Sequence, residues 1–223
     1  MLTTPTIVVN VKTYSEAVGD HAVHIAQLMD TLAEETGTSL ALSVQASDIY
    51  RVQQAVSIPV FAEHIDPFQP GSHTGWTLPE AIQAAGAVGT LINHSEHRLT
   101  LADTETCIRR AKELSLDHIV CTNNILTSKA VACFSPNFLA VEPPELIGGD
   151  ISVTAADPGI VQGSVDAVHD INTKVGVLCG AGVKNGKDVA KAIELGADGV
   201  LLASGVIKAS DKEQVIRDLI SGL

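Results

Sequence analysis

The sequence predicts an α/β protein, a single-domain (β/α)8 barrel with eight parallel strands. Three observations lead to this fold: eight short apolar segments of strand type, helix-period segments between them, and no linker or composition shift along residues 1–223. Near-continuous apolar strands that are each followed by a helix are typical of a parallel sheet covered by helices. A doubly wound open sheet is the alternative, because it is built from the same βα units.

The predicted strands are rich in Val, Ile and Leu, and most of them end where a polar or glycine-containing segment begins. In chain order they are TIVVN (6–10), LALSV (40–44), IPVFA (58–62), VGTLIN (88–93), HIVC (118–121), FLAVE (138–142), VGVLC (175–179) and GVLLA (199–203). Eight such units use roughly 28 residues each, which is tight but sufficient for a barrel.

The segments between the strands carry apolar residues at helical spacing. The clearest example lies between the first two strands and consists of Ala22, Ile25, Ala26, Met29, Leu32 and Ala33. TLAD (100–103) and SDKE (210–213) are capping boxes that predict where two later helices begin. Gly37 and Gly196 predict helix C-termini, because glycine readily adopts the left-handed conformation found there.

Composition excludes several classes of function. Hydrophobic residues make up 45% of the chain, which is ample for a core, and the net charge of −12 argues against a basic nucleic-acid-binding surface. MLTTPTIVVN (1–10) lacks the features of a secretory signal, and no apolar stretch is long enough to span a membrane. We therefore expect a cytoplasmic protein with neither nucleic acid nor membrane as a partner.

The four cysteines are widely spaced and form no C-x-x-C pair. This spacing indicates neither a zinc site nor a disulfide framework. We expect Cys107, Cys121, Cys133 and Cys179 to be small buried residues.

Polar and glycine-containing segments follow five of the predicted strands. In a barrel the chemistry lies at the carboxyl ends of the strands, so these segments contain the candidate site residues. They are Asn10 and Lys12 after the first strand, NHSEHR (93–98) after the fourth, Glu142 at the end of the sixth, and CGAGV (179–183) and ASG (203–205) after the last two.

Each candidate has a structural alternative. The small-residue turns after the last two strands suit a phosphate site made of backbone amides, or are simply tight turns. Asn10 and Lys12 are two residues apart, so in an extended chain both side chains point into the barrel mouth; Lys12 is otherwise a surface lysine. His94 precedes a predicted short helix at Ser95, which favours a neutral imidazole, although a lone histidine is often structural.

The spacing of His94 and His97 resembles a metal pair, but no recognisable ligand pattern surrounds it. We therefore expect no metal at this position. Pro143 and Pro144 directly follow Glu142 and hold it extended, which predicts either a plain strand end or a positioned acid.

Taken together, NVK (10–12), HSE (94–96), VEP (141–143), IGG (147–149) and the two small-residue turns resemble the triosephosphate isomerase family, in the short form typical of archaea. The resemblance spans the whole chain in the correct order. It implies a TIM barrel that interconverts dihydroxyacetone phosphate and D-glyceraldehyde 3-phosphate through an enediolate, without a cofactor, in glycolysis and gluconeogenesis.

The resemblance also implies roles for particular residues. Asn10 and Lys12 would contact the substrate, His94 would be the electrophile, Glu142 the general base, and Glu96 the residue that orients Lys12. The phosphate would be bound by amides of the lid residues Ile147 and Gly148, and by Gly182, Ala203 and Ser204.

The loop PGSHTG (70–75) resembles the segment that family members insert into a neighbouring subunit, where Thr74 would support the catalytic residues. This implies a homodimer or homotetramer. One departure concerns the lid: longer members carry YGGSV where this chain has CGAGV (179–183), so the tyrosine that latches the closed lid is absent.

Two other functions fit parts of the pattern. A catalytically silent phosphosugar-binding protein would keep the phosphate turns but would not need a base. Another barrel isomerase or epimerase of sugar phosphates would place different acids or a metal at other strand ends. The complete set of Asn10, Lys12, His94 and Glu142 favours triosephosphate isomerase over both.

Overall fold

The computed structural model describes residues 2–143 and 158–223, in which eight parallel strands close into a barrel in chain order. Strand β1 pairs with both β2 and β8, so the sheet has no open edge. The predicted (β/α)8 barrel is therefore confirmed, and the doubly wound open sheet is excluded.

Each of the eight predicted segments contains a strand, with small differences at the ends. The strands are β1 (Thr6–Asn10), β2 (Ser39–Val44), β3 (Val60–Ala62), β4 (Gly89–Ile92), β5 (Asp117–Thr122), β6 (Phe138–Val141), β7 (Gly176–Cys179) and β8 (Gly199–Leu202). Their carboxyl ends meet at one mouth of the barrel, because all neighbouring pairs are parallel.

The described helices surround the barrel. They are α1 (Asp20–Thr36), α2 (Ile49–Gln53), α3 (Pro79–Ala84), α4 (Leu101–Glu113), α5 (Ile125–Ala132), α6 (Pro158–His169), α7 (Gly186–Glu194), α8 (Ser204–Ile207) and α9 (Lys212–Ile220). Helix α1 buries Ala22, Ile25, Ala26, Met29 and Leu32, as its apolar period predicts.

The predicted helix ends are mostly confirmed. Thr100 caps α4 by accepting a hydrogen bond from the Asp103 amide, and Gly37 ends α1 in the left-handed conformation. The prediction from SDKE is wrong by one residue, because Asp211 rather than Ser210 caps α9. An aspartate caps as well as a serine, and its negative charge also favours the helix N-terminus.

The core has two layers, as expected from alternation along each strand. One cluster fills the barrel and includes Val8, Phe61, Leu91 and Phe138, while a larger one lies between the strands and the helices. The two phenylalanines fit because glycines face them: a Cβ at Gly89 would lie 2.3 Å from Cε1 of Phe61, and one at Gly176 would lie 2.4 Å from Cδ1 of Phe138.

Three of the four cysteines are buried, as predicted, but Cys133 is exposed. It directly follows α5, on the outside of the barrel, where its thiol faces the Lys129 carbonyl oxygen at 3.6 Å. Among the described residues, no helix combines the length and apolarity needed to cross a membrane.

Candidate active site

Most of the residues singled out in the sequence meet in one pocket at the carboxyl ends of the strands. The pocket is lined by Asn10, Lys12, His94 and Glu142, and by Gly182, Ala203 and Ser204 from the turns after β7 and β8. Glu96 lies beside it and contacts Lys12. Ile147 and Gly148 lie outside the described residues.

Glu142 is a buried carboxylate at the end of β6, with 4% of its surface exposed. Its amide donates to the Thr122 carbonyl oxygen at 2.7 Å. The strand was predicted to end at Glu142 but ends one residue earlier, at Val141. The strand stops here because Pro143 has no N–H with which to continue the ladder. Oε2 of Glu142 has no hydrogen-bond partner among the residues that the structure describes, so it is available to another group.

Two small residues surround the Glu142 side chain. A Cβ at Gly180 would lie only 2.6 Å from Cγ of Glu142, so a glycine is needed for this close approach. The thiol of Cys121 also interacts with this carboxylate, and its pKa is raised well above its usual range by burial and by the charge of Glu142. The thiol is therefore protonated and acts as a neutral neighbour of the carboxylate.

His94 faces Glu142 across the pocket, with its Nε2 at 3.3 Å from Oε1 of Glu142. Its Nδ1 is 3.2 Å from the backbone amide of Glu96. An amide can only donate, so Nδ1 accepts and the ring proton is on Nε2. The imidazole is therefore neutral and directs an N–H donor into the pocket.

The helix predicted to begin at Ser95 is absent: residues 95 and 96 form a turn, closed by a 2.8 Å hydrogen bond from the His97 amide to the His94 carbonyl oxygen. The tautomer of His94 is therefore set by one backbone hydrogen bond and not by a helix dipole.

Asn93 anchors the segment that carries His94, a function that the sequence did not reveal. Its backbone is left-handed, with φ of 59°, and its side chain is buried. Nδ2 donates to the Cys121 carbonyl oxygen at 2.9 Å, and Oδ1 accepts from the Leu99 amide at 2.8 Å. The sequence signal was an asparagine directly after a strand, since asparagine tolerates this conformation better than most residues.

Lys12 enters the pocket from a left-handed turn, not from an extended chain as predicted. Its φ is 51°, and its amide donates to Oδ1 of Asn10 at 2.9 Å, which stabilises the turn. The two side chains nevertheless line the same pocket. The Lys12 ammonium lies 2.8 Å from Oε1 of Glu96, which fixes its direction.

The turns after β7 and β8 provide small residues and backbone donors. Gly182 has a φ of 70°, a conformation that favours glycine. The backbone N–H groups of Gly182, Ala203 and Ser204 donate no hydrogen bond to another described residue. They are therefore available to an anion in the pocket.

The loop at residues 70–75, which contains Thr74, is exposed along its whole length. At its base, Oδ2 of Asp66 accepts a 2.6 Å hydrogen bond from the Thr77 amide, and Phe68 stacks on His73 with ring centres 4.2 Å apart. An exposed loop with a braced base is suited to contact another molecule.

Comparisons with known proteins identify the family of this chain. The family model for triosephosphate isomerase matches residues 5–220. The triosephosphate isomerase of Methanocaldococcus jannaschii is 54% identical over 214 residues, which cover 96% of this chain and 98% of the relative. That of Methanobrevibacter smithii is 50% identical over 222 residues and covers 100% of both chains. That of Methanosarcina barkeri is 50% identical over 216 residues, or 97% of each chain.

Proposed function

Since the chain belongs to the triosephosphate isomerase family, we propose that it interconverts dihydroxyacetone phosphate and D-glyceraldehyde 3-phosphate, with Glu142 as base and His94 as electrophile. One observation carries the residue assignment: a buried carboxylate oxygen and a neutral imidazole N–H face each other at 3.3 Å. Triosephosphate isomerases are the reference case for pairing a glutamate base with a neutral histidine.

Glu142 removes a proton from the carbon next to the substrate carbonyl and returns it to the neighbouring carbon. The pair of electrons released from the C–H bond moves into the new C=C bond, and the carbonyl oxygen gains the negative charge. Burial of Glu142 supports this role, because a site closed to water protects the reactive enediolate from side reactions.

His94 donates the Nε2 hydrogen bond to the oxygen on which negative charge develops, and then transfers protons between the two oxygens of the enediolate. A neutral imidazole is suited to both steps, because its Nε2 can give and take a proton. The Lys12 ammonium stabilises the same negative charge, and its ion pair with Glu96 keeps it oriented toward the pocket.

The substrate phosphate binds at the turns after β7 and β8. The amides of Gly182, Ala203 and Ser204 support this assignment, because they lack partners among the described residues. Amides from Ile147 and Gly148 complete the site when the lid closes over it, which is proposed from the family resemblance.

The protein also forms a homodimer or homotetramer, in which the loop at residues 70–75 reaches a neighbouring subunit. Its exposure and its braced base support this part of the proposal. The reaction serves glycolysis and gluconeogenesis in the cytoplasm, as is typical of the family. Size measurement by light scattering tests the assembly: deletion within the loop yields monomers of low activity, and a fully active monomer contradicts it.

The purified protein tests the reaction in a coupled assay with glyceraldehyde 3-phosphate as substrate. Wild type turns the substrate over, and Glu142→Asp lowers kcat by about a hundredfold or more, because the shorter side chain withdraws the base from its proton. KM changes little, since the phosphate contacts remain. Glu34→Gln, an exposed change on α1, is the matched control and keeps wild-type kinetics.

A catalytically silent phosphosugar-binding protein would bind glycerol 3-phosphate but show no turnover, which would overturn the proposal. Near-normal turnover of Glu142→Asp would instead remove Glu142 from the role of base while leaving the activity in place.

A further inference from the structure

Glu63 is an acidic residue of the substrate pocket to which the mechanism above assigns no part. It follows β3 at the same barrel mouth and lines a pocket of about 380 Å³ with Asn10, Lys12, His94 and Glu96. This space adjoins the site because Asn10, Lys12 and His94 line both pockets. A carboxyl group at this position is therefore close enough to influence a bound anion.

The Glu63 side chain lies against the backbone of the Lys12 turn. The Lys12 amide and ammonium group are both close enough to lower the pKa of its carboxyl group, and the same amide donates to Oδ1 of Asn10. Among the described residues, the buried Oε1 of Glu63 has no hydrogen-bond partner. A carboxylate with one oxygen buried and unpaired is unfavourable, whereas a carboxylic acid tolerates this environment better.

The charges around Glu63 also favour its protonated form. Burial is the largest cause that raises the pKa of Glu63, to about 8, followed by the negative charge of Glu96. Asp48 acts in the same direction, and Lys12 opposes it through both its amide and its ammonium group.

Two imidazoles complete this wall of the pocket: those of His64, on the same segment as Glu63, and His97, with ring centres 3.9 Å apart. Burial lowers the pKa of His64, so it is neutral throughout the alkaline range and offers Glu63 no positive charge there.

From this placement we propose that Glu63 is a positioning residue that acts as a neutral carboxylic acid. It holds the left-handed Lys12 turn and keeps a second negative charge away from the substrate phosphate. With Glu63 neutral, the Lys12 and Glu96 charges balance at this wall. With Glu63 ionised, the wall is net negative and repels the phosphate dianion. The inference rests on the proposed isomerase function and deepens it.

The proposal predicts an alkaline loss of substrate affinity. A phosphate monoester is already a dianion by about pH 7, so the substrate charge is constant above that value. One pH unit above the Glu63 pKa, the neutral fraction has fallen about tenfold. KM of the wild type therefore rises about tenfold between about pH 7 and about pH 9, while kcat changes less.

The test compares wild type, Glu63→Gln and Glu63→Ala across this pH range in the coupled assay. In Glu63→Gln the side chain keeps its shape and cannot ionise, so KM rises less than about twofold. Glu63→Ala loses the support of the Lys12 turn and has a lower kcat/KM than Glu63→Gln at every pH. The exposed Glu34→Gln controls for the change in net charge and keeps the alkaline rise of the wild type.

An alkaline rise of KM in Glu63→Gln equal to that of the wild type overturns the proposal. A direct measurement is independent of turnover: NMR of isotope-labelled glutamate carboxyl groups shows one resonance titrating near pH 8, absent from Glu63→Gln. If no resonance titrates there, Glu63 is not a neutral acid. If the resonance titrates but no isomerase activity is found, the proposed function fails and the protonation of Glu63 stands. Glycerol 3-phosphate affinity, measured at the same pH values, then tests the repulsion.

Discussion

Replacing Gly180 with alanine is a direct way to move the proposed base without changing its chemistry. The new Cβ would lie 2.6 Å from Cγ of Glu142 and 3.1 Å from the Val141 carbonyl oxygen. Gly180 is not among the described residues with positive φ, so alanine introduces no backbone strain there. The Glu142 side chain can move, whereas the strand carbonyl is fixed, so the carboxylate yields.

The displacement follows from the contact. Ordinary van der Waals contact begins at 3.4 Å, so Cγ of Glu142 must retreat by roughly 0.8 Å. Misplacement of a catalytic group by about 1 Å costs roughly a hundredfold in rate. We expect kcat of Gly180→Ala to fall about a hundredfold in the coupled isomerase assay, with KM close to that of the wild type.

Gly163→Ala is the matched control. Gly163 lies on α6 and away from the pocket, and its Cβ would lie 2.8 Å from Cδ1 of Ile125, the end of a flexible side chain. Its kcat should equal that of the wild type. If Gly180→Ala keeps kcat within about twofold of the wild type while remaining folded, the position of Glu142 does not limit turnover and the reasoning is refuted.

Two further predictions concern residues that support the site. Asn93→Gly removes one buried and one partly buried hydrogen bond but keeps the left-handed conformation accessible. It should lower the free energy of unfolding by about 2 kcal/mol and kcat by about tenfold. The control is Ser115→Gly, at an exposed position with a similar φ of 56°, which should change neither the free energy of unfolding nor kcat. If Asn93→Gly and Ser115→Gly have equal kcat, Asn93 does not position His94. The raised pKa of Glu63 predicts that its contribution to stability is complete below about pH 4.5 and is lost as pH rises through about 8. The free energy of unfolding of Glu63→Gln relative to that of the wild type should therefore rise by about 5 kcal/mol between those limits in denaturant unfolding, and a pH-independent difference would contradict this.

The fold could be predicted because its signals are local and repeated. Eight apolar segments, each separated by a helix-period segment, leave few topologies, and closure of the barrel requires only that β8 pairs with β1. The N-cap of α9 was misplaced because Ser210 and Asp211 are both good caps, and only the backbone conformation decides between them.

The site was predictable in outline and not in detail. The position of Glu142 followed from the strand pattern, because Pro143 must end the ladder. The left-handed turn of Lys12 could not be predicted, since its cause is a hydrogen bond to the Asn10 side chain. The part played by Glu63 is not predictable for a similar reason: its sequence neighbours form no motif, and only the folded chain brings it close to Lys12 and Glu96.

The hydrogen bond that sets the tautomer of His94 has a consequence for which residues can occupy position 96. Its donor is the backbone amide of residue 96, which every amino acid except proline possesses. This donor therefore survives an exchange of the Glu96 side chain, whose carboxylate both aims Lys12 and lies 3.6 Å from Nδ1 of His94. A side-chain donor would be lost with the residue that carries it, whereas a main-chain donor is kept whichever amino acid other than proline occupies position 96.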